Sequence, residues 1–447
     1  MKRLSLQNTI IGISFFGKDE KAAGRRCILI ASLLGTLISN IIGGVFYSGF
    51  LLCYGIDMVD IGVISFVPSI ASVLSLLSPF ILERFPRRKY ILAASRMVYY
   101  TIVTVGVMVI PVLFKDNATR VWAITLAMIL ANSVNALFSS GYTAWHFNFM
   151  PDSIRGDFLL AQSCISALAG GIFTVAISIV TDSLQGSPYQ LTIINILRVV
   201  AFVLAIADVI VLCKPKEYPY EVSYDKPRLR NVFTIPFANK KFCLTVLVAV
   251  LWTFASNLTT SVINTFLVME PSKGGIGISY TLISGVNLTY FFFFLFCSKM
   301  WKKFINRVGW FKAYAFSTLV QGSTHFLYAF ITSENSLILF LIVRHMQHVM
   351  GIVTNLCVGN LVYINLPQSD RVSYISFYTV INSLVSFLTQ LLGTWFVAFM
   401  DGRSISIIGH TFSAVPILLI FTAVFGIITS AITYVLCPKL EPCPDLN

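Results

Sequence analysis

Long runs of apolar, nearly uncharged residues recur along the whole 447-residue chain. Charged residues make up only 11% of it, whereas a soluble domain carries roughly 25%. A helix that crosses a bilayer needs about 20 such residues, and a barrel strand would instead show short alternating segments. The sequence therefore predicts an all-α membrane protein with twelve transmembrane helices, arranged as two pseudo-symmetric six-helix bundles.

One polar, proline-containing segment, 214–240, separates the first six apolar blocks from the last six. Its position at mid-chain indicates a linker between the two bundles. The predicted organisation is an N-terminal cytoplasmic segment at 1–26, a first bundle at 27–213, the linker at 214–240, a second bundle at 241–437 and a tail at 438–447.

The distribution of basic residues indicates the orientation of the chain. If the N-terminus is cytoplasmic, 26 of the 32 Lys and Arg residues fall in cytoplasmic segments and 4 on the opposite side. Such a bias orients multi-pass proteins. We therefore expect both termini in the cytoplasm and the protein in the plasma (inner) membrane. The net charge of +13 then reflects orientation and contact with lipid headgroups, not nucleic acid.

The residue types that carry most enzyme chemistry are sparse. The nine cysteines contain no CxxC spacing, the five histidines form no HExxH pattern, and no phosphate-binding G-x-x-x-x-G-K-[ST] loop occurs. These absences predict no metal, no cofactor and no catalytic activity. They also argue against ATP as a direct energy source.

Two pairs of short connections repeat along the chain. Glu83–Lys89 and Asn306–Lys312 are both basic and lie 223 residues apart, and a Pro-x-x-x-Arg pattern at 151–155 returns 216 residues later at 367–371. Two matches at nearly the same offset predict two similar halves. Internal repeats of this kind are typical of secondary transporters, whose substrate site lies near the bilayer midplane between the repeats.

With these features the sequence resembles the major facilitator superfamily. That family has a loop signature, Gly-x-x-x-Asp-Arg-x-Gly-Arg-Arg, between helices 2 and 3. Here the corresponding segment is Pro79–Arg88, with proline at both glycine positions and Glu83 as the acid. The resemblance implies alternating access and a cytoplasmic gate formed by Glu83, Arg84, Arg87, Arg88, Arg155, Arg307 and Arg371. The simpler interpretation is that these basic residues only fix the topology.

An ionisable group inside a span costs about 2.5–3.5 kcal/mol on insertion scales. The segment Arg344-His345-Met346-Gln347-His348 therefore stands out in the tenth apolar block, at 337–364. The resemblance places helices 1, 4, 7 and 10 around a central cavity. We expect the substrate site to include Arg344, Gln347, His348, Asn40, Tyr47, Asn132, Asn135, Asn257, Asn264 and Asn355. Alternatively, Arg344 binds backbone carbonyls and the amides only join helices.

A cationic cavity face without an evident acid suits an anion or a carboxylate, and His348 is a candidate for proton coupling. The predicted function is secondary transport of a small solute, with a weak preference for an organic anion and with protons or another ion as the coupling partner. The protein is expected to be monomeric. A multidrug-type efflux transporter, a membrane sensor or lipid translocase, and a membrane enzyme remain as alternatives. Arg198 and Asp208, in the sixth apolar block at 190–213, are expected to be structural.

Overall fold

The computed structural model describes residues 21–82, 84–85, 87–150, 152–218, 234–367, 371–400, 403–407 and 410–441. In the described part of the first half, six helical segments follow the six apolar blocks. They are α1 (Ala22–Ile42 and Gly44–Cys53), α2 (Met58–Ser65, Val67–Ala71, a 3₁₀ turn at Ser72–Leu77, and Ser78–Leu82), α3 (Lys89–Thr101, a π turn at Ile102–Gly106, and Val107–Leu113), α4 (Asn117–Phe147), α5 (Asp152–Ser183) and α6 (Gln190–Cys213).

The second half repeats this pattern in its described residues. Its segments are α7 (Lys240–Asn257 and Ile263–Val268), α8 (Tyr280–Val308), α9 (Trp310–Ala329), α10 (Ser336–Ile364), α11 (Arg371–Phe399) and α12 (Ala414–Leu440). A small antiparallel hairpin, β1 (Ile405–Ile407) and β2 (His410–Phe412), precedes α12. The all-α prediction does not include this hairpin.

Ten of these helices are long and apolar enough to cross a membrane, counted over the described residues. The two others are α7, whose longer piece starts with two lysines, and α9, which carries Gln321 and His325. The prediction of twelve apolar blocks therefore corresponds to twelve helical segments, of which two are more polar than the rest.

Side chains that accept backbone N–H groups mark where several helices begin. Asp57 caps α2 by accepting from Asp60 N at 2.8 Å, and Asp116 caps α4 by accepting from Thr119 N at 2.8 Å. The start of α8 is capped by Asp182 from the end of α5, which accepts from the N–H groups of Tyr280 and Thr281 at 2.9 and 2.7 Å. A carboxylate at a helix start satisfies unpaired donors and suits the helix dipole.

A break in α1 occurs where two glycines meet. Gly44 has φ +54°, a left-handed conformation that glycine adopts without a steric penalty. The sequence pair Gly43-Gly44 therefore bends α1 between its two pieces.

The described residues fall into two compact units by their contacts. The first comprises the described residues within Met1–Ile56, Leu74–Lys226 and Ser279–Leu288, and the second those within Asp57–Val73, Pro227–Ile278 and Thr289–Asn447. The first part of α2 thus groups with the second unit, and the first part of α8 with the first unit. Each unit has its own apolar core, around Trp145 and Phe149 in the first and around Trp301 and Tyr314 in the second.

Candidate functional site

The middle of α10 carries the polar face that the sequence singled out. Arg344 Nη1 donates to Gln347 Oε1 at 3.0 Å, one helical turn further on. Gln347 and His348 are both buried. The amide oxygen of Gln347 therefore orients the guanidinium, and these three side chains form one continuous polar strip on α10.

His345 extends this strip toward α8. Its Nδ1 lies 2.5 Å from the backbone oxygen of Leu341, which can only accept, so Nδ1 carries the proton. In the neutral ring Nε2 is then the acceptor, and it lies 3.3 Å from the Thr289 hydroxyl. The helix backbone thus fixes the tautomer, and the Thr289 hydroxyl of α8 donates to the free nitrogen.

Aromatic contacts complete the wall on the α8 side. The ring of Tyr290 meets His348 edge-on at 5.4 Å between centroids, and His345 and His348 lie 6.1 Å apart. Asn355 Nδ2 reaches Tyr290 Oη at 3.4 Å. Together with the neighbouring His345, Tyr290 and Asn355, the strip therefore offers a cation, two imidazoles, a phenol and amides. Such a set of groups can bind an anion and carry a proton.

α9 brings two further side chains, His325 and Tyr328, within electrostatic range of Arg344. The guanidinium charge acts on His325 and Tyr328 of α9, and His325 Nδ1 bonds to the backbone oxygen of Gln321 at 2.9 Å. Hence three of the chain's five histidines lie on α9 and α10, around Arg344. Among the described residues, no group of three His, Cys, Asp or Glu side chains is arranged to hold a metal.

Asn40 and Asn257, both predicted to line the cavity, bond to neighbouring helices. Asn40 Nδ2 donates to Thr174 Oγ1 of α5 at 2.8 Å, and Gln390 Nε2 of α11 donates to Asn257 Oδ1 at 3.1 Å. Asn257 and Gln390 follow Asn40 and Thr174 by 217 and 216 residues. The first and fifth helices of each half therefore share one equivalent hydrogen bond. We call these the α1–α5 seam and the α7–α11 seam.

The α7–α11 seam is larger. Ser386 Oγ donates to Asn257 Oδ1 at 3.2 Å, and Gln390 Nε2 also bonds to Ser69 Oγ of α2 at 2.9 Å. Asn382 of α11 accepts from Thr253 Oγ1 of α7 at 2.6 Å. The amides of this seam thus connect three helices of the second unit.

The other predicted cavity residues occupy varied environments. Asn132 is buried and donates to the Met128 backbone oxygen of its own helix at 2.8 Å. Asn135 and Asn264 are half-buried, Asn355 is exposed and Tyr47 is buried beside Arg198. Geometry thus links Asn355 to Tyr290 and the α10 strip, and it places Tyr47 in a separate group.

The described gate residues lie at the starts and ends of helices. Arg84, Arg87 and Arg307 are exposed, whereas Arg88 is buried and its Nε donates to the Phe85 backbone oxygen at 3.1 Å. Glu83 and the side chains of Arg155 and Arg371 lie outside the described residues.

Each half has an acid that caps its third helix and that was not predicted from the sequence. Glu217 Oε1, after α6, accepts from the N–H groups of Arg88 and Lys89, the latter at 2.7 Å. Glu441 Oε2, after α12, accepts from Phe311 N at 3.2 Å. A sequence signal existed, because Val211-Leu212-Cys213 returns as Val435-Leu436-Cys437 and an acid follows four residues after each cysteine.

The Glu441 carboxyl is partly withdrawn from water. Burial raises the pKa of Glu441, and the N–H groups of Phe311 and Trp310 oppose that rise. The backbone beneath it requires glycine: a Cβ at Gly309 would overlap Glu441 Oε1, and Gly309 has φ +92°. The start of α9 is thus built from a glycine and a half-buried acid.

A buried ion pair links α3 and α6. Arg96 Nε lies 2.6 Å from Asp208 Oδ2, and Asp208 is fully buried. The sequence analysis counts Arg96 among the cytoplasmic basic residues and expects a structural role for Asp208 without naming its partner. Arg96 instead lies seven residues inside α3, where it also faces the rings of Tyr100 and Tyr142. A charge in α3 is thereby neutralised by the acid of α6.

Comparison with known proteins gives matches to structures alone. No protein-family model matches the chain. No curated protein sequence matches it either.

Three solved transporters illustrate the structural matches. A mutant of the nucleoside transporter NupG has a TM-score of 0.68 at 14% identity, over 92% of this chain and 99% of that one. A bacterial homologue of the iron transporter ferroportin, in an inward-facing state, gives 0.67 at 13% identity over 92% and 97%. A mutant of the E. coli fucose:proton symporter FucP gives 0.58 at 12% identity over 95% and 100%.

These matches cover nearly the full length of both chains, so they concern the whole architecture and not a single bundle. The identities are low, and the similarity therefore identifies the fold. Together with ten helices fit to cross a membrane among the described residues, it identifies an integral multi-pass membrane protein with the fold of the major facilitator superfamily transporters.

Proposed function

We propose that this protein is a secondary active transporter that moves a small solute across the inner membrane by alternating access. The observation that carries the proposal is a fold shared over 92% of the chain with solved transporters. One of those transporters is a nucleoside transporter, another is a fucose:proton symporter, and the third is a homologue of an iron transporter. A transporter binds and releases its solute unchanged, so no catalytic centre is required.

The proposed orientation has both termini in the cytoplasm. It is supported by the predicted position of 25 of the 32 Lys and Arg residues on that side, once Arg96 of α3 is left out of the count. The two moving bodies would correspond to 27–213 and 241–437, with 214–240 as the linker between them. Lipids would surround a monomer.

The proposed substrate site is centred on the α10 strip of Arg344, Gln347 and His348. Arg344 supplies a positive charge, and a 3.0 Å hydrogen bond to Gln347 orients its guanidinium group. A guanidinium in a low-dielectric site binds carboxylates and phosphates strongly. This favours an anionic solute. Asn132, Asn135, Asn264 and Asn355 would add polar contacts, and the two seam residues Asn40 and Asn257 would hold the helices that bear them.

Proton coupling is proposed at the imidazoles of the same strip. His345 already has a defined donor nitrogen and acceptor nitrogen, and His348 packs beside it. An imidazole changes charge near neutral pH. A proton on His348 would strengthen anion binding, since it adds a second positive charge next to Arg344.

The proposed cytoplasmic gate uses the arginines near the helix ends together with the two caps found here. Glu217 and Glu441 fix where α3 and α9 begin. The exposed residues Arg84, Arg87 and Arg307 extend from the adjoining connections. The predicted set is completed by Arg88, Glu83, Arg155 and Arg371.

The test is a thermal-shift screen of purified protein with organic anions, nucleosides, sugars, amino acids and cationic drugs, followed by uptake of the hits into proteoliposomes. We expect organic anions to stabilise the protein and to be taken up. Arg344→Gln should abolish both effects, whereas the exposed Arg403→Gln should retain them. Stabilisation by cationic or neutral compounds alone would contradict the anion preference, and stabilisation without uptake would contradict transport.

A further inference from the structure

Arg198 is a cation inside the apolar part of the first unit. It lies eight residues after the start of α6, about 12 Å along the helix. It is only 2% exposed. An ionised side chain at such a position requires compensation by hydrogen bonds and by opposite charge.

The hydrogen bonds of Arg198 are incomplete. Nη1 donates to the Val103 backbone oxygen at 3.1 Å, within the π turn of α3. Turns of this kind frequently occur at functional sites. The guanidinium carbon lies 3.8 Å from the ring centroid of Phe50 and 5.6 Å from that of Tyr47, both in α1.

Two polar atoms remain without a partner at this point. Arg198 Nη2 and Tyr47 Oη are both buried and make no hydrogen bond to any described residue. Buried polar atoms are nearly always satisfied by protein, water or an ion. Three helices, α1, α3 and α6, thus surround two unsatisfied groups that can both donate.

The guanidinium packs on the rings of Phe50 and Tyr47 but meets no acid among the described residues. Among the described residues, Arg198 forms no salt bridge, and the acid of its own helix, Asp208, pairs with Arg96 at 2.6 Å. Asp208 is also ten residues away, about 15 Å along α6. A water molecule could accept from Nη2 but would leave the positive charge unbalanced.

We propose that Arg198 Nη2 and Tyr47 Oη bind a monoatomic anion of the size of chloride between α1, α3 and α6. A halide only accepts hydrogen bonds, and Arg198 Nη2 and Tyr47 Oη are two buried donors without an acceptor among the described residues. It also neutralises the guanidinium, and it tolerates the aromatic surroundings of Phe50 and Tyr47. This site lies on other helices than the α10 strip, and it serves the stability of the first unit independently of the transported solute.

The experiment measures the melting temperature of the purified protein at constant ionic strength while sodium chloride or sodium bromide replaces sodium gluconate. A ligand that binds only the folded state raises the melting temperature in a saturable manner. We expect such a rise with both halides. Arg198→Met should remove the halide-dependent shift, and Tyr47→Phe should move half-saturation to higher halide concentration.

Two matched variants serve as controls. Arg403→Gln and Tyr189→Phe change exposed residues of the same types, and both should keep the full halide response. Equal melting in chloride and gluconate, or a non-saturating rise that Arg198→Met shares, would overturn the proposal.

A second measurement does not depend on a folded variant. Crystals of the wild-type protein grown in sodium bromide should show an anomalous peak within hydrogen-bond distance of Arg198 Nη2 and Tyr47 Oη. Ordered density for this region without such a peak would overturn the proposal, even if the melting temperature responds to halide.

Discussion

The two halves of the chain begin their third helices with the same device but in different surroundings. In the first half Glu217 accepts N–H groups from two basic residues, Arg88 and Lys89, and Lys89 Nζ also bonds to the Pro215 backbone oxygen at 3.1 Å. In the second half Glu441 is partly buried over Gly309 and accepts from Phe311. The comparison shows that both halves retain a carboxylate that accepts backbone N–H groups at the start of the third helix. The donors are two basic residues in the first half and include an apolar residue, Phe311, in the second.

The α1–α5 and α7–α11 seams likewise retain one contact in both halves and differ in the contacts around it. One amide-to-neighbour hydrogen bond joins the first and fifth helices of each half, but only the α7–α11 seam recruits a third helix among the described residues, through Ser69. Equivalent positions thus carry equivalent contacts, and the second half adds hydrogen bonds to a third helix in its seam.

The largest expected effect comes from Gly309→Ala. Its φ of +92° and ψ of 163° lie in a region that is essentially restricted to glycine, and a strained residue costs of order 1–3 kcal/mol. The new Cβ would also displace Glu441. We expect a clear loss of melting temperature in detergent. Gly285→Ala, within α8 and with no atom within 4 Å of the added Cβ, should cause no loss, and equal effects of the two changes would contradict the account.

Glu217→Ala should have the next largest effect. It leaves two N–H groups of α3 without their acceptor, and loss of a helix cap costs about 0.5–2 kcal/mol. The melting temperature should fall, and amide hydrogen exchange should accelerate at the start of α3. Glu334→Ala, an exposed acid before α10, is the control. Unchanged exchange at Arg88 and Lys89 would show that the cap is not needed.

Asn257→Ala should destabilise the protein more than Asn40→Ala. Hydrogen bonds between helices in membranes average about 0.6 kcal/mol, with a maximum of about 1.7 kcal/mol. Asn257 makes three hydrogen bonds, because it accepts from two side chains and donates to the Thr253 backbone oxygen at 2.8 Å, whereas Asn40 donates to one side chain and one backbone oxygen. Thermal denaturation of both variants checks the order. A larger loss for Asn40→Ala would contradict the inferred difference between the seams.

Glu441→Gln should have the smallest effect, and that effect should depend on pH. Burial raises the pKa of Glu441, so the folded state holds this proton more tightly than the unfolded state. Its contribution to stability is therefore present below the unfolded pKa and is lost as pH rises through the folded pKa. The glutamine variant should gain stability relative to wild type as pH rises through this range. A relative loss over the same range would show that the ionised carboxylate is preferred.

Much of the architecture is predictable from the sequence because a bilayer imposes a simple rule. Uncharged runs of the required length identify ten spans directly, and the helical α7 and α9 are recognisable in spite of Lys240, Lys241, Gln321 and His325. The partners of polar residues follow no such rule. The sequence assigns Asn40 and Asn257 to a cavity, although their contacts to α5 and α11 depend on which face of each helix is turned inward.

The Arg96–Asp208 ion pair and the Glu217 and Glu441 caps show a second reason why such contacts cannot be predicted from the sequence. Arg96 and Asp208 belong to helices far apart in sequence, so spacing along one helix could not reveal their 2.6 Å contact. Glu217 and Glu441 lie in polar segments, where acids are common, and only the repeated Val-Leu-Cys triplet aligns the two ends. By contrast, the Arg344–Gln347 bond connects residues one turn apart, and helical spacing is sufficient to suggest it.

The most direct test of the account is counterflow in sealed proteoliposomes that contain the purified protein and no nucleotide. Vesicles are preloaded with an unlabelled solute that stabilises the protein, and a trace of the labelled solute is added outside. A secondary transporter should accumulate the label transiently above its equilibrium level, since each inward movement is exchanged for an outward one. Binding without accumulation, or recovery of a chemically altered solute, would contradict the account.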